Sequence, residues 1–316
     1  MPRPKRMPLI ALTAAFAATF LATWPALADD SGSAPQDLAS LDPASLQLGS
    51  VHAAVVDMDN GTTLYRKNAD DRVPIASVTK LMTAMVVLDS GQPLDERLTI
   101  VKRRHKAPNN AYSHIRLGSQ LQRGDLLRIA LMASENRAAY VLARHYPGGL
   151  KAFVAAMNAK AKSLGMKHTH FVGPTGLSPK TQSTAADLVR MIQAAAGYDH
   201  IREYTTTSYY SVHFRHPRYT LHYGNTDALI YRNRWDIALS KTGYLNEAGR
   251  CLAVITQIDG HELAIALLDS FGSHTPIGDV GRIQQWIETG SSGHIARAAL
   301  RYEQRKTAQA TADNSD

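Results

Sequence analysis

The residues best placed to do chemistry are Ile75-Ala76-Ser77-Val78-Thr79-Lys80, followed by an apolar run from Leu81 to Leu88. A serine and a lysine three positions apart on a helix lie one turn above each other, so their side chains can meet. A serine hydroxyl is a poor nucleophile until a base removes its proton. Lysine serves as that base only where burial or a neighbouring cation holds it neutral. The apolar run after Lys80 reads as a helix buried in a core, which meets that condition. Ser77, at the helix's N-terminal end, would face free backbone N–H groups that favour developing negative charge. The chemistry indicated is acyl transfer through a serine ester, with Ser77 as nucleophile and Lys80 as general base.

Two further motifs fit the same chemistry. Ser134-Glu135-Asn136 falls between helical segments, where a turn can aim Ser134 and Asn136 into one cleft. Lys241-Thr242-Gly243 falls on a strand, where alternation puts Lys241 and Gly243 on one face and glycine permits close approach of a ligand backbone. Each motif alone has an ordinary explanation: a helix start before a surface lysine, a helix-capping Asn136, an exposed edge-strand lysine. Together, in this order and spaced by 57 and 107 residues, they supply one group of polar side chains to each of three walls.

The elements that must hold these walls follow from pattern. Residues 51–57 and 62–66 are β-rich and joined by Asp59-Asn60-Gly61, a hairpin signal, which makes Asn60 a turn residue rather than a glycosylation acceptor. The Ser77 helix stops at Ser90-Gly91. A strand over 97–102 precedes a loop with Pro108, Asn109 and Asn110. Helical patterns then cover 126–133, 137–146, 150–164 and the stretch opened by the Thr184 to Asp187 capping box. Irregular strands over 209–223 lead to strands at 237–244, 250–257 and 262–268, the last two joined by Asp259-Gly260. Thr275-Pro276 opens a final helix ending near Gly290. The expected fold class is α/β (α+β): an antiparallel sheet of about five strands, from the N-terminal hairpin and three C-terminal strands, flanked by helices. A mostly helical subdomain (103–204) is inserted between the sheet segments 49–102 and 205–290, giving one catalytic domain over 49–290.

Outside that domain, Arg3, Lys5 and Arg6, an apolar core over 9–21 and Ala26-Leu27-Ala28 make residues 1–28 a cleaved export signal. Residues 29–48, rich in Ser, Asp, Pro and Ala, read as a flexible leader, and 291–316 as a polar tail, disordered from Glu303. No later run has the length of a transmembrane helix, and the stretch 295–302 is too short for a firm membrane anchor. The formal net charge of +8 falls to +5 once the three basic signal residues leave. From Arg137 to Ala186 there are seven Lys or Arg and no Asp or Glu, a surface suited to an anionic polymer. No nucleic-acid motif accompanies it. The lone Cys251 excludes an internal disulfide and reads as a small core residue. His168 with His170, and His213 with His216, lack a third ligand, so neither metal nor cofactor is expected.

Ser-x-x-Lys, Ser-x-Asn and Lys-Thr-Gly are the three marks of penicillin-binding proteins and class A β-lactamases. The chain resembles more closely the periplasmic D-alanyl-D-alanine endopeptidases, low-molecular-mass penicillin-binding proteins related to the serine D-Ala-D-Ala carboxypeptidases. The likeness runs from about 49 to 290. It rests on Met132 to Ala139, Ala143 to Gly149, Pro174 to Ser178, Asn225-Thr226, Trp235-Asp236-Ile237, Leu239 to Tyr244 and Ala248 to Cys251. The resemblance implies a β-lactamase/DD-peptidase-like fold and hydrolysis of D-Ala–meso-diaminopimelate cross-links in peptidoglycan. It also implies β-lactams as covalent inhibitors. Ser77 is then the acyl-ester nucleophile, Lys80 the base and Ser134 the proton relay. Asn136, Lys241, Thr242 and Gly243 bind substrate, and the backbone N–H groups of Ser77 and Tyr244 form the oxyanion hole. A D-alanyl-D-alanine carboxypeptidase trimming pentapeptide stems and a non-catalytic wall-binding protein are the alternatives. A class A β-lactamase is disfavoured, because 137–186 offers no carboxylate to activate a deacylating water.

Overall fold

The computed structural model describes residues 37–103, 112–232 and 234–313. The expected export signal, and the loop with Pro108, Asn109 and Asn110, lie outside the described residues. β1 (Ser50–Asp57) turns through Asp59-Asn60-Gly61 into β2 (Thr63–Lys67). The turn is held by its own side chains. Asp57 accepts from the Asp59 amide at 2.9 Å, Asn60 from the Thr62 amide at 2.7 Å, and Gly61 takes φ +75°.

Next come β3 (Val73–Pro74), α1 (Thr79–Asp89), β4 (Arg97–Thr99) and β5 (Gln120–Gln122). The helices α2 (Arg123–Met132), α3 (Asn136–Arg144) and α4 (Gly149–Ser163) follow, then β6 (Gln182–Ser183), α5 (Ala185–Ala196) and α6 (Asp199–Thr206). A hairpin of β7 (Tyr209–Phe214) and β8 (Tyr219–Gly224) leads to β9 (Asp236–Leu245), β10 (Gly249–Ile258) and β11 (His261–Ser270). The chain closes with α7 (Thr275–Thr289) and α8 (Arg297–Asp313).

The expected α+β architecture is the one observed, with a five-stranded antiparallel sheet in the order β2-β1-β11-β10-β9. Asp259 and Gly260 both take positive φ, +50° and +79°, the backbone a two-residue hairpin between β10 and β11 requires. Strand periodicity sorts the sheet's side chains into two cores. Ala54, Val56, Ala253, Ile255, Ala264, Ala266 and Leu268 face the core shared with α1 to α5. Ala53, Val55, Leu252, Val254, Leu263, Ile265 and Leu267 face the core shared with α7 and its buried Trp286. A sheet buried on both faces carries near-continuous apolar runs, which is why β1 and β11 are so hydrophobic. Although α5 falls among the inserted helices in chain order, it packs against β1, β10 and β11.

Two expectations need correction. Residues 37–48, read as part of a flexible leader, form short 3₁₀ turns at Leu38–Ser40 and Pro43–Ser45, each capped by an aspartate side chain. Leu38, Leu41, Leu46 and Leu48 are buried in the α7-side core, and Trp286 Nε1 donates to the Asp42 carbonyl at 3.1 Å. The composition is polar, but four leucines have an apolar face to fill. The tail, read as polar and disordered from Glu303, forms α8 as far as Asp313. Ile295 and Ala299 are buried, Tyr302 donates to Asp269, and Glu303 and Lys306 pair with Lys67 and Asp269 at 3.4 and 3.0 Å. Among the described residues no helix is long and apolar enough to cross a membrane. Cys251 is buried, its thiol pushed up to about 12 by desolvation, as befits a core residue.

Candidate active site

Ser77 lies in a 3₁₀ turn, Ala76–Val78, that runs into α1, rather than in the helix's first α-turn. Ala76 before it takes φ +45°, a left-handed conformation uncommon for alanine, and Thr79 Oγ1 donates to the Ala76 carbonyl at 2.7 Å. This strained elbow sets the serine hydroxyl into a cleft of about 440 Å³. The helix behind it is apolar on nearly every side and buried throughout its first turns, so Lys80 is 1% exposed.

The Lys80 amine stands 2.8 Å from each of three oxygens: Ser77 Oγ, Asn136 Oδ1 and the Thr175 carbonyl. Amide and peptide oxygens only accept, so both must be served by lysine N–H groups. A neutral amine has two N–H groups and one lone pair, and this arrangement directs the lone pair at the Ser77 hydroxyl. Burial holds the Lys80 ammonium well below its ordinary pKa, the Lys241 charge adds to the depression, and Glu135 opposes it.

Lys241 is equally buried, on β9, and its pKa is lowered to about 7 by desolvation, with Asp227 opposing. Asp227 is buried as well; desolvation raises its carboxyl, which accepts from Ser240 Oγ and, at 2.9 Å, from the Leu229 amide. Lys241 therefore has an anion to support its charge, whereas Lys80 has a cation against it. Burial and the Lys241 charge both favour the neutral form of Lys80 that a general base needs.

The second wall comes from the turn between α2 and α3. Ser134 takes φ +57°, Glu135 caps α3 by accepting from the Arg137 amide at 2.9 Å, and Asn136 is the first helical residue. Capping by Glu135 leaves the Asn136 side chain for Lys80. Ser134 lines the cleft with Ser77 and Asn136, and its hydroxyl has no hydrogen bond to either lysine among the described residues. The third wall is β9, the outer strand of the sheet, whose free edge faces the cleft. A Cβ on Gly243 would lie 3.0 Å from Ser77 N, 3.1 Å from Ala76 Cβ and 3.2 Å from the Ile75 carbonyl, so only glycine lets β9 lie this close to the Ser77 turn. That approach brings the backbone of Ser77 and the Gly243-Tyr244 segment together. Thr242 Oγ1 lies 2.7 Å from Thr226 Oγ1.

The sequence-predicted residues thus converge: Ser77, Ser134, Asn136, Thr242, Gly243 and Tyr244 line the cleft, and the two lysines lie buried beneath it. Comparison with known proteins agrees with the geometry. The family model for D-alanyl-D-alanine carboxypeptidases, peptidase S11, matches residues 39–272. The chain belongs to this family. It is 49% identical over 260 residues to the D-alanyl-D-alanine endopeptidase of Pseudomonas aeruginosa, covering 82% of this chain and 84% of that protein. It is 46% identical over 283 residues to the D-alanyl-D-alanine endopeptidase of Escherichia coli (strain K12), covering 88% and 91%. The crystal structure of the Streptomyces K15 DD-transpeptidase superimposes with TM-score 0.70 at 28% identity, over 77% of this chain and 98% of that one. Penicillin-binding protein D2 from Listeria monocytogenes, in its ampicillin-bound form, superimposes with TM-score 0.66 at 28% identity, over 77% and 99%.

As a member of the peptidase S11 family the chain is a serine-type D-alanyl-D-alanine peptidase. Its site includes groups that the three motifs do not contain. The Thr175 carbonyl reaches Lys80 because Gly176, at φ +74°, presses against the Ser77 turn; a Cβ there would lie 1.8 Å from the Ala76 carbonyl. Thr83 Oγ1 donates to the Pro174 carbonyl at 2.7 Å and fixes the same segment. The only trace of this fourth wall in the sequence is Pro174-Thr175-Gly176, a turn signal. Asp227 carries no sequence signal at all. Elsewhere, Asp57, Asp59 and His261 bring ligand-type atoms within 4.8 Å of one another, but the Asp57 carboxylate is engaged by the β1–β2 turn.

Proposed function

We propose that this peptidase is a periplasmic DD-endopeptidase that hydrolyses D-Ala–meso-diaminopimelate cross-links of peptidoglycan through an ester on Ser77. The observation that carries the mechanism is the buried Lys80 amine, 2.8 Å from Ser77 Oγ, with its other two contacts on fixed carbonyl oxygens. The endopeptidase reading takes its support from the two relatives at 46 and 49% identity.

Lys80 accepts the Ser77 proton as Oγ attacks the D-Ala carbonyl carbon. The resulting oxyanion is held by the backbone N–H groups of Ser77 and Tyr244, which the Gly243 approach brings together. The amide C–N bond then breaks, and the Ser134 hydroxyl relays the proton from Lys80 to the leaving nitrogen. Water attacks the ester, Ser77 Oγ recovers its proton, and the donor stem leaves with a carboxylate. Asn136 holds the substrate's peptide, whose extended backbone pairs with the free edge of β9. Thr242 and Lys241 receive the carboxylate beside the scissile amide. The D-centre of diaminopimelate in a cross-link bears that carboxylate, as does a terminal D-Ala.

β-Lactams acylate the same serine and are released slowly. Residues 137–186 contain no carboxylate to activate water, and the Glu135 side chain is occupied in capping α3. Incubation with purified cross-linked muropeptide dimers and pentapeptide monomers, read by chromatography and mass, tests the function. Conversion of dimers to monomers is expected from the wild type and not from Ser77→Ala. Loss of terminal D-Ala alone would assign a carboxypeptidase, and no change in either substrate a wall-binding protein.

A further inference from the structure

We propose that Arg250 is a specificity-determining residue: its guanidinium pairs with the carboxylate beside the scissile amide, from the face of β9 opposite Lys241. The proposal rests on the DD-peptidase reading, and it adds a residue that none of the three motifs contains.

Arg250 lies on β10 directly across from Tyr244 on β9. Side chains of directly paired residues share a face, and strand alternation puts Thr242 on that face too, two residues from Tyr244. Arg250 is thus the diagonal neighbour of Thr242, a separation that a long side chain spans. Lys241 points to the other face and is buried. Arg250, Thr242 and Tyr244 all line the same cleft as Ser77.

The guanidinium is held ready for a ligand. It lies over the Tyr244 ring, 4.2 Å from the centroid, and the ring is fixed in turn by its hydroxyl donating to Asn246 Oδ1 at 2.9 Å. Yet it forms no salt bridge among the described residues, although the chain pairs several other arginines with carboxylates. The Asp227 carboxylate, which lines the same cleft, is engaged by Ser240 and the Leu229 amide. A planar cation stacked on an aromatic ring, lining the substrate cleft with no salt bridge among the described residues, suits bidentate recognition of a carboxylate.

Two other features point the same way. The start of α7, with His274, Pro276 and Ile277, forms the opposite wall, and its N-terminus has no side-chain cap. The positive end of a 15-residue helix therefore opens on the same space. Moreover, Lys241, lowered to about 7, is largely neutral in mildly alkaline solution, whereas an arginine keeps its charge. Among the described residues that line the cleft, Arg250 is the one that keeps a positive charge.

The test compares an acyl-D-Ala-D-Ala peptide with its C-terminal amide, for wild type, Arg250→Gln and Arg250→Lys, with cross-linked dimers alongside. Arg250→Gln should lose about 30- to 100-fold in kcat/KM on the carboxylate peptide, mainly through KM, and under about threefold on the amide. Arg250→Lys should recover part of the preference, since a lysine keeps the charge without the fork. Equal losses on both peptides, or a wild-type preference kept by Arg250→Gln, would overturn the proposal. If the wild type cleaves the peptide and leaves dimers intact, the endopeptidase reading fails while the role of Arg250 is still decided. Melting temperature and penicillin labelling of each variant report a folded Ser77 site.

Discussion

Gly243→Ala puts the geometry of the proposed oxyanion hole under direct test. Gly243 has no positive φ, so alanine fits the backbone and the perturbation is purely one of space. The new methyl would meet Ser77 N, Ala76 Cβ and the Ile75 carbonyl at 3.0, 3.1 and 3.2 Å, and two of these are backbone atoms that cannot rotate away. The only relief is to move β9 and the Ser77 turn apart by a few tenths of an ångström. Crowding of this kind costs about 1–3 kcal/mol of stability, a loss of roughly 2–8 °C in melting temperature. The same movement withdraws the Ser77 and Tyr244 N–H groups from each other. Losing one oxyanion donor outright costs about 10²–10³ in rate, so a partial withdrawal should slow acylation about 10- to 100-fold. The assay is the second-order rate of labelling by a fluorescent penicillin, followed at a temperature where the variant stays folded. Labelling within about twofold of wild type, with the melting temperature lowered as expected, would refute the reasoning: β9 would then have moved without the oxyanion hole noticing.

Other outcomes follow from the same structure. Lys241→Gln removes the cation beside Lys80, so Lys80's pKa should rise and the acid limb of the acylation profile should shift to higher pH; an unmoved midpoint would contradict the coupling. The buried lysines also set a sign for stability. The unfolded chain binds protons that the folded chain rejects, so stability should rise with pH from about 7 for Lys241 towards the unfolded value of ~10.4. Lys241→Met should flatten that rise when urea midpoints are compared across the window. Thr242→Val deletes a hydroxyl paired with Thr226 that, in the proposed mechanism, receives the substrate carboxylate, and should raise KM about tenfold with a small change in melting temperature. Leu46→Ala, at a side chain 3% exposed, should cost about 2–5 kcal/mol in denaturant unfolding, which a flexible leader would not.

Much of the site was legible because its chemistry is carried by side chains at helix and strand spacings. Ser77 and Lys80 are one helical turn apart, and Lys241 and Gly243 share a strand face. The sheet was legible because its turns are written in Asn60-Gly61 and Asp259-Gly260 and its strands in unbroken apolar runs. What stayed hidden depends on distant parts of the chain. The Thr175 carbonyl is a backbone group 95 residues from Lys80, and no residue type announces it. Asp227 matters through burial beside Lys241, which composition does not report. Leu38, Leu41, Leu46 and Leu48 sit in a polar stretch, and their burial follows from the exposed flank of α7 that they cover. The tail forms α8 because Tyr302, Glu303 and Lys306 find partners on β2 and β11, contacts that local polarity cannot foretell.

The central claim is that Ser77 becomes acylated because the buried Lys80 takes its proton. Intact-mass analysis after a brief penicillin quench, followed by peptide mapping, tests it most directly. The wild type should carry one adduct per chain, located on Ser77, and Lys80→Met should label slower by several orders of magnitude while remaining folded. An adduct on any other residue, or Lys80→Met labelling at the wild-type rate, would contradict it.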